Sequence, residues 1–411
     1  MEIPKRRVVI TGMGAVTSLG LTLGETWDSL VLGKSGIGPI TLFDTSDSLT
    51  RIAAEVSPGI REIAREIIPK RTLKQMSRLG EMNFVCAKQA MDDSGISSEA
   101  MDKDRAGAIL GATSAGFSSL EQDRSNVILK SMVNSLSAWI SLKYGFRGVN
   151  FTVNTACSSA GYAIGLAYNT IVSGEVDFML SGGSDSMISK EGIAGFNELM
   201  ALSENNAAGE KACRPFDKKR DGFVMGEGAG IVILESLESA LRRGARIYCE
   251  LAGYGCTSES YNIMAPERDG EGMARTMSVA LERSGVSSGE IDYINAHGTS
   301  TILNDMYETK AIKKVFGERA YKIPVSSSKS MIGHTMGAAG GIEGVITAKS
   351  IYEGIITPTV NYTEADPECD LDYVPNRSRK ANIRAALSNS FAFGGHNATL
   401  VFKKYDGSVS L

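Results

Sequence analysis

Short apolar segments alternate with longer amphipathic ones along the whole chain. The apolar runs predict β-strands over residues 8–11, 108–110, 150–153, 178–182, 230–234, 291–295, 323–326, 385–388 and 399–402. Apolar residues at helical spacing predict helices over residues 79–94, 161–173, 273–284 and 341–352. This alternation predicts an α/β fold with partly parallel sheets. The polar stretch 203–221 is predicted to be an ordered surface loop.

One pattern occurs twice. Residues 150–155 read as a strand, followed by small residues at 156–159 and an apolar helix that ends near residue 173. Residues 321–325 likewise lead through 326–329 into a helix that ends near residue 352. The similarity fits either an internal duplication or two unrelated strand–helix units.

Length and composition describe a large globular chain. With 411 residues, two domains or one duplicated core are expected. Apolar residues make up 43% and charged residues 22%, near the average for a globular protein. No segment approaches the roughly 18–20 apolar residues of a membrane helix. Residues 1–12 lack a signal-peptide pattern, so we expect a first strand there and a cytoplasmic protein without a membrane partner.

Charge and cysteine content exclude further classes. The net charge of −4 argues against a dedicated nucleic-acid-binding protein. Six cysteines without a C-x-x-C or zinc-like spacing predict neither a disulfide framework nor a metal centre. Histidine is scarce: the chain has three, at positions 297, 334 and 396, each within a segment rich in glycine or small residues.

Cys157 is the candidate nucleophile. It lies between a predicted strand and a predicted helix, where unpaired backbone N–H groups can lower the pKa of a thiol and bind an oxyanion. Small neighbours would let a substrate approach closely. The alternative is a buried structural cysteine, the usual state of a free thiol. The other five cysteines lack this setting.

Two histidines are candidates for proton chemistry. His297 follows a predicted strand, the position at which α/β enzymes place ligands. His334 lies in a segment of glycines and alanines that also contains Lys329 and Glu343, two charges that are costly to bury unless they are paired or functional. Each histidine taken singly is more often structural, and His396, which has no evident proton-transfer partner, is interpreted in that way.

Four ordered motifs resemble those of the β-ketoacyl-[acyl-carrier-protein] synthases, and in particular of their chain-elongating members. They are Thr155-Ala-Cys157-Ser-Ser159, His297-Gly-Thr-Ser-Thr301, Lys329 to Glu343, and Phe391-Ala-Phe393-Gly-Gly-His-Asn397. The resemblance covers essentially the whole chain. It implies the thiolase fold, an α/β fold of two duplicated halves, each with a mixed five-stranded sheet, in αβαβα layers. The halves would span residues 1–248 with the nucleophilic cysteine and 249–411 with both catalytic histidines.

The set Cys157, His297 and His334 matches the elongating class. Initiating synthases use the set Cys-His-Asn, degradative thiolases use a second cysteine, and chain-length factors lack the nucleophile. The resemblance therefore implies a decarboxylative Claisen condensation, in which an acyl group held on Cys157 is extended by two carbons from malonyl-[acyl-carrier-protein]. The alternatives are a ketosynthase subunit of a type II polyketide or polyene synthase, paired with a chain-length factor, and a non-condensing partner subunit. A homodimer is usual in the family.

The resemblance also implies roles within the site. The backbone N–H groups of Cys157 and Phe393 would form the oxyanion hole. His297 and His334 would donate hydrogen bonds to the enolate as neutral imidazoles. Lys329 would orient His297 or Glu343, and Glu343 would complete this network, beside a structural monovalent cation as in some relatives; no other cofactor is implied.

Further residues would bind the substrates. Thr299 and Thr301 match positions that bind the phosphopantetheine arm, and Phe393 matches the aromatic residue that gates the acyl pocket. Ser114 stands where relatives often carry a bulky aliphatic residue, which predicts longer or oxygenated acyl chains. The basic residues Lys70, Arg71, Lys74 and Arg78 match the region that contacts the acidic carrier protein, with Arg71 and Lys74 as the main docking candidates. The alternative is a solvated helix face.

Overall fold

The computed structural model of the chain describes residues 6–97, 101–114 and 125–407. Its strands are β1 (Val8–Val16), β2 (Gly38–Pro39), β3 (Ile52–Ala53), β4 (Ala106–Gly111), β5 (Asn150–Val153), β6 (Phe178–Asp185), β7 (Gly228–Ser236), β8 (Cys249–Ser258), β9 (Ile291–Asn295), β10 (Val325–Ser326), β11 (Ile355–Ile356), β12 (Arg379–Lys380), β13 (Ala385–Phe391) and β14 (His396–Lys403). Its α-helices are α1 (Leu23–Val31), α2 (Ile60–Ile67), α3 (Lys70–Leu73), α4 (Arg78–Ser94), α5 (Val127–Ser131), α6 (Ser135–Tyr144), α7 (Ser159–Val172), α8 (Lys190–Glu198), α9 (Leu237–Arg242), α10 (Glu271–Ser284), α11 (Ile302–Phe316), α12 (Lys329–Ile332) and α13 (Ala339–Glu353). Short 3-10 helices cover Lys103–Arg105, Asn206–Lys211, Arg268–Gly270, Ser288–Glu290, Gly317–Lys322, Met336–Ala338 and Phe393–Gly395.

Ten strands form two groups of five with the same topology. The order is β5-β4-β6-β7-β1 in the first group and β10-β9-β13-β14-β8 in the second. In each group the first two pairings are parallel and the last two antiparallel. The groups join where residues 8–10 of β1 pair with residues 249–251 of β8. Because order and direction coincide, the duplication is confirmed; the predicted boundary at 248/249 falls between β7 and β8.

The helices complete a five-layer arrangement. Helices α7 and α13 lie between the two groups of strands and contact both of them. Helices α4 and α6 cover the outer face of the first group, and α10 covers that of the second, with α11 packed against α10. Separate apolar clusters fill the central layer and each outer interface. The predicted thiolase fold with αβαβα layers is confirmed, and it brings the turns before α7 and α13 to the same side of the central layer.

The two central helices approach each other through glycines. A Cβ atom added to Gly340 would lie 2.7 Å from the backbone nitrogen of Gly161, closer than such atoms can come. One turn further along α13, a Cβ atom on Gly344 would meet Ile164 Cδ1 at 3.4 Å, an ordinary contact. The helix interface is therefore closed at Gly340 and has room at Gly344.

This difference predicts opposite effects of one substitution at two positions of a single helix. Gly340→Ala is expected to lower the free energy of unfolding by about 1–3 kcal/mol through overpacking. Gly344→Ala is expected to raise it by about 0.5–1 kcal/mol, because alanine restricts the unfolded chain more than glycine does. Urea unfolding of both variants measures the two values. Changes of the same sign at both positions would contradict this packing.

The structure departs from the sequence predictions in several segments, and two of these departures bear on the site. Strand β8 was not predicted, although it joins the two halves. Residues 203–221 are not a simple surface loop, because Phe216 and Asp217 are buried while Lys218 and Lys219 remain exposed. In the part of the chain that the structure describes, no helix has both the length and the apolar character needed to span a membrane.

Candidate active site

Cys157 lies in the turn that connects β5 to α7, two residues before the helix starts. The preceding Ala156 has φ +50°, in the left-handed region, which turns the chain sharply at this point. The Cys157 side chain is buried, with 4% of the residue exposed, and it lines a cavity of about 360 Å³. His297, His334, Thr299, Thr301 and Phe393 line the same cavity.

Burial dominates the acidity of this thiol. Burial raises the pKa of Cys157 to about 12, although the positive charge of Lys329 and the backbone N–H groups of Cys157 and Phe393 lower it. The prediction of a lowered pKa is therefore wrong, because a helix N-terminus does not compensate for the loss of water around the sulfur. The N–H groups of Cys157 and Phe393 therefore lie within reach of the sulfur.

His297 emerges just beyond the carboxyl end of β9, and a buried carboxylate fixes its backbone. The N–H groups of His297 and Gly298 donate to the two oxygens of Glu308, each at 2.8 Å. Glu308 also accepts from the side-chain amide of Asn389 at 3.2 Å. Our sequence analysis missed Glu308. The sequence shows only that Asp305, Glu308 and Ile312 share one face of α11; their burial, which points to a role for the two carboxylates, comes from the structure.

His334 follows the short helix α12, after Gly333 with φ +66°. Its N–H donates to the Val224 carbonyl at 2.7 Å, and its carbonyl accepts from Gly226 N–H at 2.9 Å. The imidazole lies edge-to-face against that of His297, with 5.3 Å between the ring centres and 84° between the planes. Residues 37 positions apart in sequence thus present two imidazoles to one cavity.

Lys329 and Glu343 form a buried ion pair behind the histidines, each with 1% of the side chain exposed. Lys329 Nζ also donates to the His297 carbonyl at 2.6 Å and lies 3.4 Å from His297 Nδ1. An ammonium group can only donate, so Nδ1 accepts and the His297 proton resides on Nε2. Burial raises the pKa of Glu343, and Lys329 lowers it.

Both imidazoles are neutral at pH 7. Burial, followed by the positive charge of Lys329, lowers the pKa of His297 and of His334 well below 6.5. Neutral rings can each donate one hydrogen bond and accept a proton, whereas imidazolium ions can only donate.

The lowered pKa of His334 predicts a pH-dependent stability. An unfolded histidine binds a proton below pH 6.5 whereas buried His334 does not, so stability falls as pH decreases. Relative to His334→Gln, the wild-type protein is expected to lose about 1.4 kcal/mol of unfolding free energy per pH unit below pH 6. Urea unfolding of both proteins from pH 7.5 to 5 measures this difference, and parallel curves would contradict a neutral buried His334.

Of the residues predicted to bind the substrates, some line the cavity and one does not. The Oγ1 atoms of Thr299 and Thr301 lie 2.8 Å apart on the cavity wall. Phe393 opens the 3-10 turn at the cavity, where Gly394 has φ +80° and donates to the Ile263 carbonyl at 2.7 Å. Ser114 is buried with no described hydrogen-bond partner for its hydroxyl, but it does not line this cavity. The next residues of that segment, 115–124, lie outside the described residues.

The predicted docking residues form an exposed group with one exception. Lys70, Arg71 and Lys74 are exposed on α3 and at its end. Arg78 instead forms an ion pair with the fully buried Glu227 and donates to the Val56 carbonyl at 2.8 Å. Arg78 is therefore part of the interior, and the exposed basic group comprises the other three residues.

Three residues on neighbouring elements have buried side-chain oxygens without a hydrogen-bond partner among the described residues. Glu343 Oε2 is buried without a hydrogen-bond partner in the described part of the chain. Helix α13, which carries Glu343, packs on β13. Ser388 of β13 pairs with Asn295 of the neighbouring strand β9. The side-chain oxygens of Ser388 and Asn295 also lack hydrogen-bond partners within the part of the chain that the structure describes. Oxygen atoms are the donors that a hard monovalent cation binds, so the donor type of these residues is compatible with such an ion. No group of three or more His, Cys, Asp or Glu side chains in the described ranges is placed to hold a metal ion.

Comparison with known proteins agrees with this architecture. The family model described as "Beta-ketoacyl synthase, N-terminal domain" matches residues 5–240, and "Beta-ketoacyl synthase, C-terminal domain" matches residues 248–363. The chain belongs to the β-ketoacyl synthase family.

Individual relatives match over nearly the full length. The chain is 44% identical to "3-oxoacyl-[acyl-carrier-protein] synthase 2" of Synechocystis sp., over 98% of this chain and 99% of the relative. It is 41% identical to the protein of the same name from Staphylococcus aureus strain COL, with the same coverage. Among solved structures, a type II polyketide acyl-carrier protein in complex with its ketosynthase, bound to the hexaketide, has a TM-score of 0.89 at 33% identity, covering 98% of this chain and 100% of that chain. The "ishigamide ketosynthase/chain length factor" has a TM-score of 0.89 at 38% identity, with the same coverage.

Proposed function

We propose that the protein is a chain-elongating acyltransferase: it condenses an acyl group held on Cys157 with the two-carbon unit of malonyl-[acyl-carrier-protein], releasing carbon dioxide. The observation that carries this proposal is the opening of Cys157, His297 and His334 into one cavity of about 360 Å³. The relatives named 3-oxoacyl-[acyl-carrier-protein] synthase 2 support the same reaction.

In the first half-reaction the Cys157 sulfur attacks the thioester of the acyl-carrier. Since the raised pKa keeps this thiol protonated, its proton must move as the bond forms. A neutral imidazole of the cavity accepts it and passes it to the departing pantetheine sulfur. The negative oxygen of the tetrahedral intermediate lies between the N–H groups of Cys157 and Phe393; one such donor typically contributes about 2.7–4 kcal/mol.

In the second half-reaction malonyl-carrier enters and loses carbon dioxide. The electrons of the broken carbon–carbon bond form an enolate, whose oxygen accepts hydrogen bonds from the N–H groups of His297 and His334. The carbanion carbon attacks the acyl carbonyl, the bond to sulfur breaks, and the Cys157 thiolate that leaves takes up a proton from solvent, because its original proton departed with the pantetheine thiol. Lys329 orients His297 through the contacts at its carbonyl and Nδ1.

Thr299 and Thr301 bind the phosphopantetheine arm through their hydroxyls on the cavity wall, and Phe393 gates the passage to the acyl site. Ser114 remains our candidate for tolerance of longer or oxygenated chains, because its buried hydroxyl has no described partner. The reaction requires no organic cofactor. A structural monovalent cation bound by Glu343, together with oxygens of Asn295 and Ser388, would neutralise the second Glu343 oxygen.

The acidic carrier protein docks on the basic group of α3. Arg71 and Lys74 are expected to steer it by charge, so Arg71→Glu with Lys74→Glu should raise the KM for carrier-bound substrates by about tenfold at low salt and leave kcat nearly unchanged. Steady-state kinetics at two salt concentrations measure this effect. The matched control is Arg242→Glu with Lys404→Glu, two exposed basic residues on other surfaces. An unchanged KM in the first variant would contradict the docking site.

A homodimer forms at the β5 edge of the first group of strands, beyond which no further strand pairs in the described residues. β5 is the terminal strand of that group, and an open strand edge favours pairing with a second chain. Large apolar side chains are exposed near it, including Leu142 at 74% and Phe151 at 38%. Covering these side chains with a second copy would remove them from water. We place the dimer in the cytoplasm, together with its carrier protein.

The second candidate function is that of a ketosynthase subunit in a type II polyketide or polyene synthase. The structural match to the ishigamide ketosynthase/chain length factor favours it. In that case β5 would meet a chain-length factor instead of a second copy. Sedimentation of the chain expressed alone separates the two: a stable homodimer supports the first function, and a chain that is stable only with a second protein supports the other.

Incubation with a series of acyl-carriers and malonyl-carrier tests the proposal as a whole. The expected products are β-ketoacyl-carriers two carbons longer than each accepted acyl group, with one carbon dioxide released per condensation. Absence of any such product while the carriers remain intact would contradict the proposed function.

A further inference from the structure

Asp185 is a buried carboxyl group near the active site that the proposed reaction does not use. It ends strand β6, and none of its surface is exposed. Oδ2 accepts from the Thr113 N–H at 2.9 Å, the Gly337 N–H at 2.8 Å and the Thr113 hydroxyl. Oδ1 accepts from the Ser186 N–H at 3.0 Å. Asp185 and Thr113 belong to the first half of the chain and Gly337 to the second.

The bond to Gly337 fixes the turn that follows His334. This turn is strained, because Met336 has φ +50°, in the left-handed region that is unfavourable for a residue with a side chain. The contact is also close: a Cβ atom on Gly337 would lie 2.7 Å from Asp185 Oδ2. The backbone of His334 itself donates to the Val224 carbonyl and accepts from the Gly226 N–H. The backbone on both sides of the imidazole is thus fixed by hydrogen bonds.

We propose that Asp185 is a positioning residue that holds the His334 turn in the geometry required for decarboxylation of the malonyl group. This inference rests on the proposed function. Two hydrogen-bond donors that stabilise one enolate oxygen must converge on it, and misplacement by about 1 Å can lower a rate about a hundredfold. Acyl transfer depends instead on Cys157, on the N–H groups beside its sulfur and on one imidazole as a proton relay, so it does not require two donors to converge on one oxygen. The charge of Asp185 raises the pKa of Cys157, so losing that carboxylate does not make the thiol less acidic. The two half-reactions should therefore respond differently to loss of Asp185.

Asp185→Ala removes all four accepted hydrogen bonds. We expect release of carbon dioxide from malonyl-carrier to fall about tenfold or more, while the rate of Cys157 acylation by acyl-carrier stays within about threefold of the wild-type rate. Asp185→Asn should recover part of the decarboxylation, because its amide oxygen can still accept from the Gly337 N–H. Both rates are measured on the same preparations, with carbon dioxide release in one assay and intact-protein mass spectrometry in the other.

Asp217 provides a matched control. It is also fully buried, and it accepts from the Thr363 N–H and hydroxyl, the Glu364 N–H and the Lys219 N–H. Unlike Asp185 it also has a guanidinium partner among the described residues, Arg214, at 3.6 Å. It does not line the cavity. Asp217→Ala should lower thermal stability as Asp185→Ala does, but leave the ratio of decarboxylation to acylation unchanged.

The outcomes separate the two claims. If the wild-type protein releases no carbon dioxide, the proposed function fails. If it does, but Asp185→Ala slows both half-reactions equally or neither, the positioning role is wrong. Should Asp185→Ala not fold, Thr113→Val removes one donor to the same carboxyl at a partly exposed position, and its ratio of decarboxylation to acylation must fall. An unchanged ratio in that variant overturns the inference.

Discussion

Cys157→Ala is expected to lower the rate of condensation by about ten-thousandfold or more, since the variant has no group that can hold the acyl chain covalently. Folding should be nearly unaffected, because the substitution removes one sulfur atom beside a cavity that already exists. Formation of β-ketoacyl-carrier in a stopped assay, together with thermal unfolding of the same samples, measures both quantities.

Cys213→Ala is the matched control. Cys213 is also buried, and burial raises its pKa to about 12, as for Cys157. It does not line the cavity. The two thiols therefore resemble each other in acidity and differ in access to substrate, so Cys213→Ala should retain most of the condensation rate. Comparable activity in the two variants would exclude Cys157 as the nucleophile.

Lys329→Met is expected to have the largest effect on stability. It leaves Glu343 buried without its partner, and breaking a buried ion pair from one side typically costs about 3–5 kcal/mol. The loss should be largest above pH 7. Without Lys329, burial raises the pKa of Glu343 further, and a raised pKa in the folded state contributes stability at low pH that is lost as the pH increases. Urea unfolding at pH 5 and pH 8 tests both statements.

The double variant Lys329→Met with Glu343→Leu separates structure from function. Replacing both charges by apolar groups of similar size should restore most of the lost stability, since no uncompensated charge remains. Condensation should stay low, because His297 loses the ammonium group that contacts its carbonyl and Nδ1. Recovery of activity along with stability would show that Lys329 acts only through folding.

Sequence patterns predicted much of the fold because most strands are short apolar runs with polar or glycine-rich ends. Strand β8 was not predicted because it contains Gly253 and Gly255, and glycine is unfavourable in strands. The structure explains why glycine is needed at both positions: a Cβ atom on Gly253 would lie 2.8 Å from Ser284 Cα, and one on Gly255 would lie 2.5 Å from the Thr276 carbonyl oxygen. Helix α10 packs directly on this strand, a tertiary requirement that no local pattern expresses.

The site was predictable where function places a rare residue type in an unusual segment, as with His297 and His334. Asp185 and Glu308 were missed because single carboxylates are common, and their importance lies in the backbone N–H groups that they accept from distant segments. The pKa of Cys157 was predicted to shift in the wrong direction. A helix N-terminus can be predicted from the sequence, whereas complete burial of the sulfur cannot.

Intact-protein mass spectrometry of the wild-type enzyme tests the central claim, that one sulfur and two imidazoles act together in a single cavity. After incubation with acyl-carrier, the account predicts one added acyl group per chain, located on Cys157. Addition of malonyl-carrier should then remove that group and release an equal amount of carbon dioxide. An acyl group on another residue, or one on Cys157 that persists while carbon dioxide is released, would contradict the account.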